Sequence, residues 1–215
     1  MARPPGDRSL YGKVLNALDE IGAPYMVLGG FAARVYGSTR TTHDIDLVVS
    51  LGENHVQALA DRFPLPRYYA DPYQMRNAMA QRTMFYIIDS TTGDKVDLIP
   101  VSMNTYSRPA LARRIRLPFE DLNGEEIEAW FARPDDVIVG KLHAWNESHS
   151  LRHEQDIGQM LLGLYLDRAG LGKFYDEAYT NRNVRTISAS AWSLWNKLKR
   201  AARSEVKKQS RPKPI

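Results

Sequence analysis

Apolar positions recur at helical and then at strand spacing in the first part of the chain. From Ser9 to Ile21 they lie three or four residues apart and are followed by Gly22, which predicts an opening helix. The short apolar run Tyr25–Leu28 is followed by Gly29-Gly30 and then by a second helical stretch. This order predicts a strand, a glycine turn and a helix.

Two sets of residues alternate in the segment from Asp44 to Ser50. One set contains Asp44, Asp46 and Val48, and the other contains Ile45, Leu47 and Val49. Because successive side chains of a strand point to opposite faces, Asp44 and Asp46 are predicted to share one face. The opposite face is wholly apolar, as expected for a strand that covers a core. Two carboxylates are therefore predicted side by side on one strand.

A third acid lies on a later predicted strand. Met84–Ile88 and Lys95–Ile99 flank the turn Thr92-Gly93-Asp94, which predicts a hairpin with Asp97 in its second arm. Lys95 lies two positions from Asp97 on the same face, so a salt bridge is an alternative explanation for this acid.

The rest of the chain changes from sheet to helix near Arg133. The sequence predicts a helix in Glu53–Phe63, a second hairpin around Asn123-Gly124, and four later helices within Val137–Trp145, Leu151–Leu164, Lys173–Tyr179 and Ile187–Lys208. The fold class is therefore predicted as α+β, with a mixed β-sheet core flanked by helices and followed by a C-terminal helical region. We expect domains at residues 1–133 and 134–215.

Composition narrows the possible classes of protein. Cysteine is absent, which excludes disulfides and thiolate zinc sites and fits a cytoplasmic protein, and the histidines lack a convincing zinc spacing. No run approaches the roughly 18 apolar residues of a membrane-spanning helix, so no membrane partner is expected. Eight of the 29 basic residues lie from Lys197 onward, against one acid, Glu205. This basic segment is either an RNA-binding element or a solvated tail.

Two carboxylates on one strand and a third on another are the ligands that Mg²⁺ or Mn²⁺ needs for phosphoryl chemistry. Mg²⁺ takes hard oxygen ligands and completes its coordination with water and substrate phosphates. We therefore expect Asp44, Asp46 and Asp97 to be catalytic and to bind the metal. Gly29 and Gly30 leave room for backbone N–H groups to approach a phosphate at the start of a helix.

The order of these motifs resembles the nucleotidyltransferase superfamily, which has a DNA polymerase beta-like fold. The resemblance rests on Leu28-Gly29-Gly30, the gap to His43, Asp44-Ile45-Asp46, and Val96-Asp97-Leu98. The stretch Gly37–Leu47 looks like a bacterial branch related to abortive-infection and toxin–antitoxin nucleotidyltransferases, which commonly show Arg-x-Thr-x-Asp-x-Asp. The resemblance is specific from Met26 to Val49 and weakens beyond Pro100.

The resemblance implies further nucleotide-binding residues, each with a structural alternative. Lys141 would meet a triphosphate or lie on the surface with its charge in water, and Asp156 would complete the site or pair with Arg152 one helical turn earlier. Arg40 would clamp phosphate or pair with one of the strand aspartates, and Thr42 would cap the loop or coordinate. Ser38 has a turn-residue explanation, although a serine in this loop can itself be modified in related proteins.

The leading hypothesis is a metal-dependent enzyme that transfers a nucleoside monophosphate from a nucleoside triphosphate such as ATP and releases pyrophosphate. The acceptor would be a hydroxyl or phosphate, and the resemblance to the toxin branch together with the basic segment favours RNA or tRNA. The resemblance implies a toxin of a toxin–antitoxin or phage-defence system with a cognate partner protein. The alternatives are a non-catalytic nucleotide-binding module or antitoxin-like partner of the same fold, and an RNA-binding protein whose acidic cluster is structural.

Overall fold

The computed structural model describes residues 9–42, 44–120, 124, 126–167 and 169–210. These residues form two compact units, one from the described parts of Met1–Leu28 and Thr42–Ala132 and the other from those of Gly29–Thr41 and Arg133–Ile215. We call them the sheet unit and the helical unit. The sequence-based boundary at 133/134 instead assigned residues 29–41 to the first domain, and that division stays a prediction.

The sheet unit is built on one mixed sheet. Its strands are β1 (Tyr25–Leu28), β2 (Ile45–Val49), β3 (Tyr68–Tyr69), β4 (Phe85–Asp89), β5 (Lys95–Pro100), β6 (Ile115–Glu120) and β7 (Glu126–Phe131). They lie in the order β3-β4-β5-β2-β1-β7-β6. The pairs β2–β5 and β1–β7 are parallel, and the other pairs are antiparallel. The predicted α+β class with a mixed sheet is confirmed.

Among the described residues of the sheet unit, four helices form: α1 (Leu10–Glu20), α3 (Glu53–Asp61), α4 (Pro72–Gln81) and α5 (Ser107–Arg113). Ser9 caps the start of α1, because its Oγ accepts a hydrogen bond from the backbone N–H of Gly12. Leu15 and Leu18 of this helix are fully buried. The two predicted hairpins and helices α1 and α3 are confirmed, although Asn123 of the second turn lies outside the described residues. Strand β3 and helices α4 and α5 were not predicted.

The helical unit contains α2 (Gly29–Val35), α6 (Pro134–Ser148), α7 (Leu151–Leu166), a short 3₁₀ turn (Gly172–Phe174), α8 (Glu177–Arg185) and α9 (Ala189–Gln209). Helix α2 packs on α6 and α7, which explains why it groups with this unit. The predicted helix Lys173–Tyr179 is wrong, because Tyr175 is extended and the Asp176 side chain caps the start of α8. In the described chain, none of the helices has the length and apolar character needed to cross a membrane.

The loop that follows α2 lies directly against α7. A Cβ built on Gly163 would lie 2.7 Å from the carbonyl oxygen of Tyr36, and one built on Gly37 would lie 3.2 Å from the Cα of Gly163. Gly37 also has a φ of +109°, a conformation that L residues with side chains rarely adopt. Two glycines therefore allow this backbone contact, immediately before Ser38.

Candidate active site

Asp46 and Asp97 lie next to each other on the two strands at the centre of the sheet. Strands β2 and β5 are parallel, with Asp46 opposite Asp97 in the register. Neighbouring strands are about 4.8 Å apart, and residues paired in this way point to the same face. On the other face, Ile45 and Val96 are fully buried. The two acids are thus held together by a register that their buried neighbours stabilise.

Asp44 lies immediately before β2 and is exposed. Since it is two positions from Asp46, strand alternation predicts that its side chain points to the same face. The hydroxyl of Thr42 donates a hydrogen bond to the main-chain oxygen of Asp44 at 3.3 Å, so Thr42 supports the backbone at this point. Asp44, Asp46 and Asp97 are called the acid face below.

Lys95 forms the predicted salt bridge with Asp97. Its Nζ lies 2.9 Å from Oδ1 and 3.0 Å from Oδ2 of Asp97, and only the Oδ2 contact has the angles of a hydrogen bond. The hydrogen bond to Asp97 is the main reason why the pKa of Lys95 is raised, with further contributions from the charges of Asp97, Asp44 and Asp46. One ammonium group therefore lies in the field of all three acids.

The acid face fits a divalent cation that brings part of its own coordination. Mg²⁺ is usually held by one or two carboxylates, with water and phosphate oxygens as its other ligands, and Asp46 beside Asp97 supplies such a pair. Among the residues described, no three acidic or histidine side chains form a ready-made metal site. The ammonium of Lys95 instead occupies Asp97. Metal binding by Asp44, Asp46 and Asp97 stays a prediction.

The carboxylate of Asp156 is buried in the helical unit, where Arg40 and Lys141 compensate its negative charge. Its Oδ1 accepts from Ser38 Oγ at 2.8 Å and from Arg40 Nε at 3.2 Å, while Oδ2 accepts from Lys141 Nζ at 2.6 Å and from Arg40 Nη2 at 3.3 Å. The side chain of Asp156 is 1% exposed and that of Lys141 is 7% exposed. We call Ser38, Arg40, Lys141 and Asp156 the Asp156 cluster.

Several alternatives for these residues are corrected by the structure. Asp156 pairs with Arg40 and Lys141 rather than with Arg152, and Lys141 is buried rather than on the surface. Arg40 pairs with Asp156 instead of with a strand aspartate. Burial alone would raise the pKa of Asp156, but the hydrogen bonds from Arg40 and Lys141 outweigh it and lower that pKa.

Gln159 is a member of this region that sequence reasoning missed. Its Oε1 accepts from the backbone N–H of Thr39 at 2.8 Å, and its Nε2 donates to Thr39 Oγ1 at 3.0 Å. These two bonds fix the loop between Ser38 and Arg40 on α7. The only signal in the sequence was its position one turn after Asp156 on the same helix.

Most of the chain matches one known protein family. Residues 14–211 match the sequence profile of the family described as "Nucleotidyl transferase AbiEii toxin, Type IV TA system". The chain belongs to the AbiEii family. A comparison with curated proteins finds no match. The predicted superfamily is confirmed, and this AbiEii-family chain is a nucleotidyltransferase of a toxin type.

Solved structures with a similar fold also include nucleotidyltransferases. An antigenic nucleotidyltransferase-like protein from Paracoccidioides brasiliensis is 16% identical with a TM-score of 0.42, covering 88% of this chain and 90% of its own. The antibiotic-resistance factor ANT(2'')-Ia is 15% identical with a TM-score of 0.38, at coverages of 93% and 92%. A putative nucleotidyltransferase from H. pylori is 14% identical with a TM-score of 0.36, at 95% and 100%. Likenesses this weak carry no argument about substrate.

The paired glycines of this AbiEii-family chain begin helix α2. Gly29 has a φ of +64°, which a residue with a side chain rarely adopts, and Gly30 is buried. The predicted turn between strand and helix is therefore confirmed. Phosphate binding by Gly29 and Gly30 stays a prediction.

The basic C-terminal segment is helical as far as Gln209. Part of its charge is compensated, because Glu177 pairs with Lys199 and Arg203. The guanidinium of Arg185 lies 4.7 Å from the ring centre of Trp192. Arg211 and Lys213 lie outside the described residues. RNA binding by this segment stays a prediction.

Proposed function

We propose that this AbiEii-family chain is a metal-dependent enzyme that moves a nucleoside monophosphate from a nucleoside triphosphate to an acceptor. The observation that carries the proposal is the register of β2 and β5, which pairs Asp46 with Asp97. Asp44, two positions before Asp46, adds its charge to theirs around the ammonium of Lys95. Paired carboxylates on a rigid sheet hold a cation more reproducibly than loop residues do.

In this reaction an acceptor oxygen attacks the α-phosphorus of the triphosphate. The bond from that phosphorus to the β-phosphate oxygen breaks, and pyrophosphate leaves with the electron pair. Mg²⁺ bound with the substrate would neutralise developing charge on the phosphates. Asp44 and Asp46 would hold the ion, and Asp97 would be a further ligand or would accept the proton of the attacking hydroxyl.

The Asp156 cluster supports a positioning role for its carboxylate. Both oxygens of Asp156 accept hydrogen bonds from Ser38, Arg40 and Lys141. We therefore infer that Asp156 orients the side chains of Arg40 and Lys141 without touching substrate. The side chain of Arg40 is 34% exposed, so this cation is not closed off from solvent. Nucleotide binding by Ser38, Arg40, Thr42 and Lys141 is proposed on the family resemblance.

The acceptor and the partner are inferred from the type of family. A toxin of a type IV system is expected to have a cognate antitoxin and to act on a molecule that the cell needs. We propose an RNA acceptor such as tRNA, because the last helix carries exposed basic residues that include Arg200 and Lys207.

The test is nucleotide transfer by the purified protein. Each of the four triphosphates, labelled at the α-phosphate, is incubated with Mg²⁺ and a pool of cellular RNA. We expect labelled RNA from the wild-type protein and a loss of at least about 10³-fold in Asp46→Asn, because metal stabilisation contributes several kcal/mol. Asp61→Asn, an exposed acid on α3, is the matched control and should retain full activity. Equal labelling by wild type and Asp46→Asn would exclude the proposed site.

The ion pair between Lys95 and Asp97 favours one alternative, a nucleotide-binding module without transfer activity. In that case the lysine would neutralise the third acid permanently. Calorimetry would then show binding of a metal–triphosphate by the wild-type protein, while the labelling assay would give no product with any acceptor.

A further inference from the structure

Lys95 has two properties that the proposed reaction does not yet use. Its ammonium contacts both oxygens of Asp97 at 2.9 and 3.0 Å, and its side chain is 37% exposed although that of Asp97 is only 12% exposed. The carboxylate is thus fixed in the sheet, while the lysine reaches it from a partly solvated position. A flexible four-carbon stem allows such an ammonium to change partners.

The charge around Lys95 explains why a cation is needed there before any substrate binds. Asp46 lies opposite Asp97 in the register, and the charges of Asp44, Asp46 and Asp97 all act on the ammonium of Lys95, so like charges lie close together. One monovalent ammonium compensates part of this charge. A partly exposed ion pair contributes little to stability, and a divalent ion can therefore displace it at small cost.

We propose that Lys95 is an internal counter-ion of the acid face, which holds Asp97 in the metal-free protein and moves to phosphate oxygens when a metal–triphosphate binds. This inference rests on the proposed function, because it assumes that the acid face binds a metal. It assigns Lys95 two opposite effects. The lysine competes with a metal that arrives alone, and it stabilises a metal that arrives with a triphosphate.

These effects couple the two ligands. Metal alone must compete with the ammonium for Asp97, whereas a triphosphate offers the displaced ammonium a new anionic partner. Coupling of this kind is reciprocal, so each ligand raises the affinity of the other by the same factor. The protein would then acquire its metal mainly as the metal–nucleotide complex.

The experiment measures Mn²⁺ binding by electron paramagnetic resonance, with and without a triphosphate analogue that cannot be cleaved between its α and β phosphates. With Mn²⁺ alone, Lys95→Met should bind about tenfold more tightly than wild type, since a positive charge close to the ion is removed. Lys95→Arg should bind Mn²⁺ alone more weakly than wild type, because a guanidinium grips a carboxylate in two places. For the Mn²⁺–analogue complex, Lys95→Met should bind more weakly than wild type.

Opposite changes in the two measurements separate this role from a structural one. A lysine that only stabilised the fold would shift both affinities in the same direction or neither. Arg108→Met, which removes an exposed positive charge on α5, is the matched control and should change neither. Circular dichroism and the melting temperature check that each variant is folded.

The outcomes also separate this inference from the proposed function. If Asp46→Asn abolishes Mn²⁺ binding but Lys95→Met leaves both affinities unchanged, the role of Lys95 is excluded and the metal site stands. If the wild-type protein binds no Mn²⁺ even with the analogue, both the metal site and the counter-ion role are excluded. Weaker binding of Mn²⁺ alone by Lys95→Met would likewise overturn the counter-ion role.

Discussion

The pairs Lys95–Asp97 and Lys141–Asp156 join the same two chemical groups in different surroundings. In the sheet unit the lysine is 37% exposed and the aspartate 12%. In the helical unit the corresponding side chains are 7% and 1% exposed, and Arg40 and Ser38 complete the shell around Asp156. Burial makes breaking an ion pair costly, whereas partial exposure lets one partner leave. The first pair is therefore suited to exchange, and the second to fixed support.

The largest expected effect is the loss of stability when the buried Lys141–Asp156 pair is broken. Asp156→Ala should destabilise the fold by about 3–5 kcal/mol, because it leaves the charge of Lys141 buried without its carboxylate. Denaturant unfolding followed by circular dichroism gives this value. Asp97→Ala is the matched change in the sheet unit and should cost clearly less. Equal losses in the two variants would remove the distinction between the pairs.

An intermediate effect is the loss of folding stability at acidic pH. Burial and then the charge of Lys141 lower the pKa of His153 to about 4, from an ordinary value of 6.5. Between these two pH values the unfolded chain binds a proton that the folded chain does not, so stability falls as the pH drops from 6.5 towards 4. The lowered pKa of Asp156 adds stability that is present above the unfolded value of 3.8 and is lost as the pH falls through the folded value.

We expect His153 to account for about 1–2 kcal/mol of this acid loss, allowing for its partial exposure to solvent. Unfolding curves measured from pH 7 to pH 4 will test the sign. His153→Gln should flatten the slope over this range, because a neutral amide takes up no proton. An unchanged slope in that variant would mean that other groups cause the acid dependence.

The smallest expected effect is the change in stability when the partly exposed Lys95–Asp97 pair is broken. Lys95→Met should change the free energy of unfolding by less than about 1 kcal/mol, as for other partly exposed ion pairs. Lys141→Met should cost more, since Asp156 would lose its shortest contact, of 2.6 Å. A larger loss in Lys95→Met than in Lys141→Met would reverse the comparison and would mark Lys95 as a structural residue.

Local patterns predicted the elements that carry the acid face. Alternation from Asp44 to Val49 predicted the face of β2, and a glycine turn predicted the hairpin that contains Asp97. The parallel register between β2 and β5 was not predictable, because it depends on how the intervening chain crosses the sheet. Helix α4 was missed because only Met75 and Ala78 are buried in it, which leaves a weak apolar period.

The Asp156 cluster shows the limit of local reasoning more clearly. Its partners Ser38 and Arg40 are 118 and 116 residues away in the sequence. A pattern of neighbours offered Arg152 instead, one turn earlier on the same helix. Long-range ion pairs depend on which helices pack together, and that information is not in the spacing of charges along one helix.

The contact between Gly37 and Gly163 has a consequence for how this family can vary. Gly163 lies within helix α7, where alanine would be better by about 1 kcal/mol in helix propensity. Its Cβ, however, would lie 2.7 Å from the Tyr36 carbonyl oxygen. Even the methyl group of alanine is therefore excluded at Gly163, although helix propensity favours alanine there. Relatives that replace Gly163 should also show altered spacing around Gly37, so the two positions are expected to co-vary.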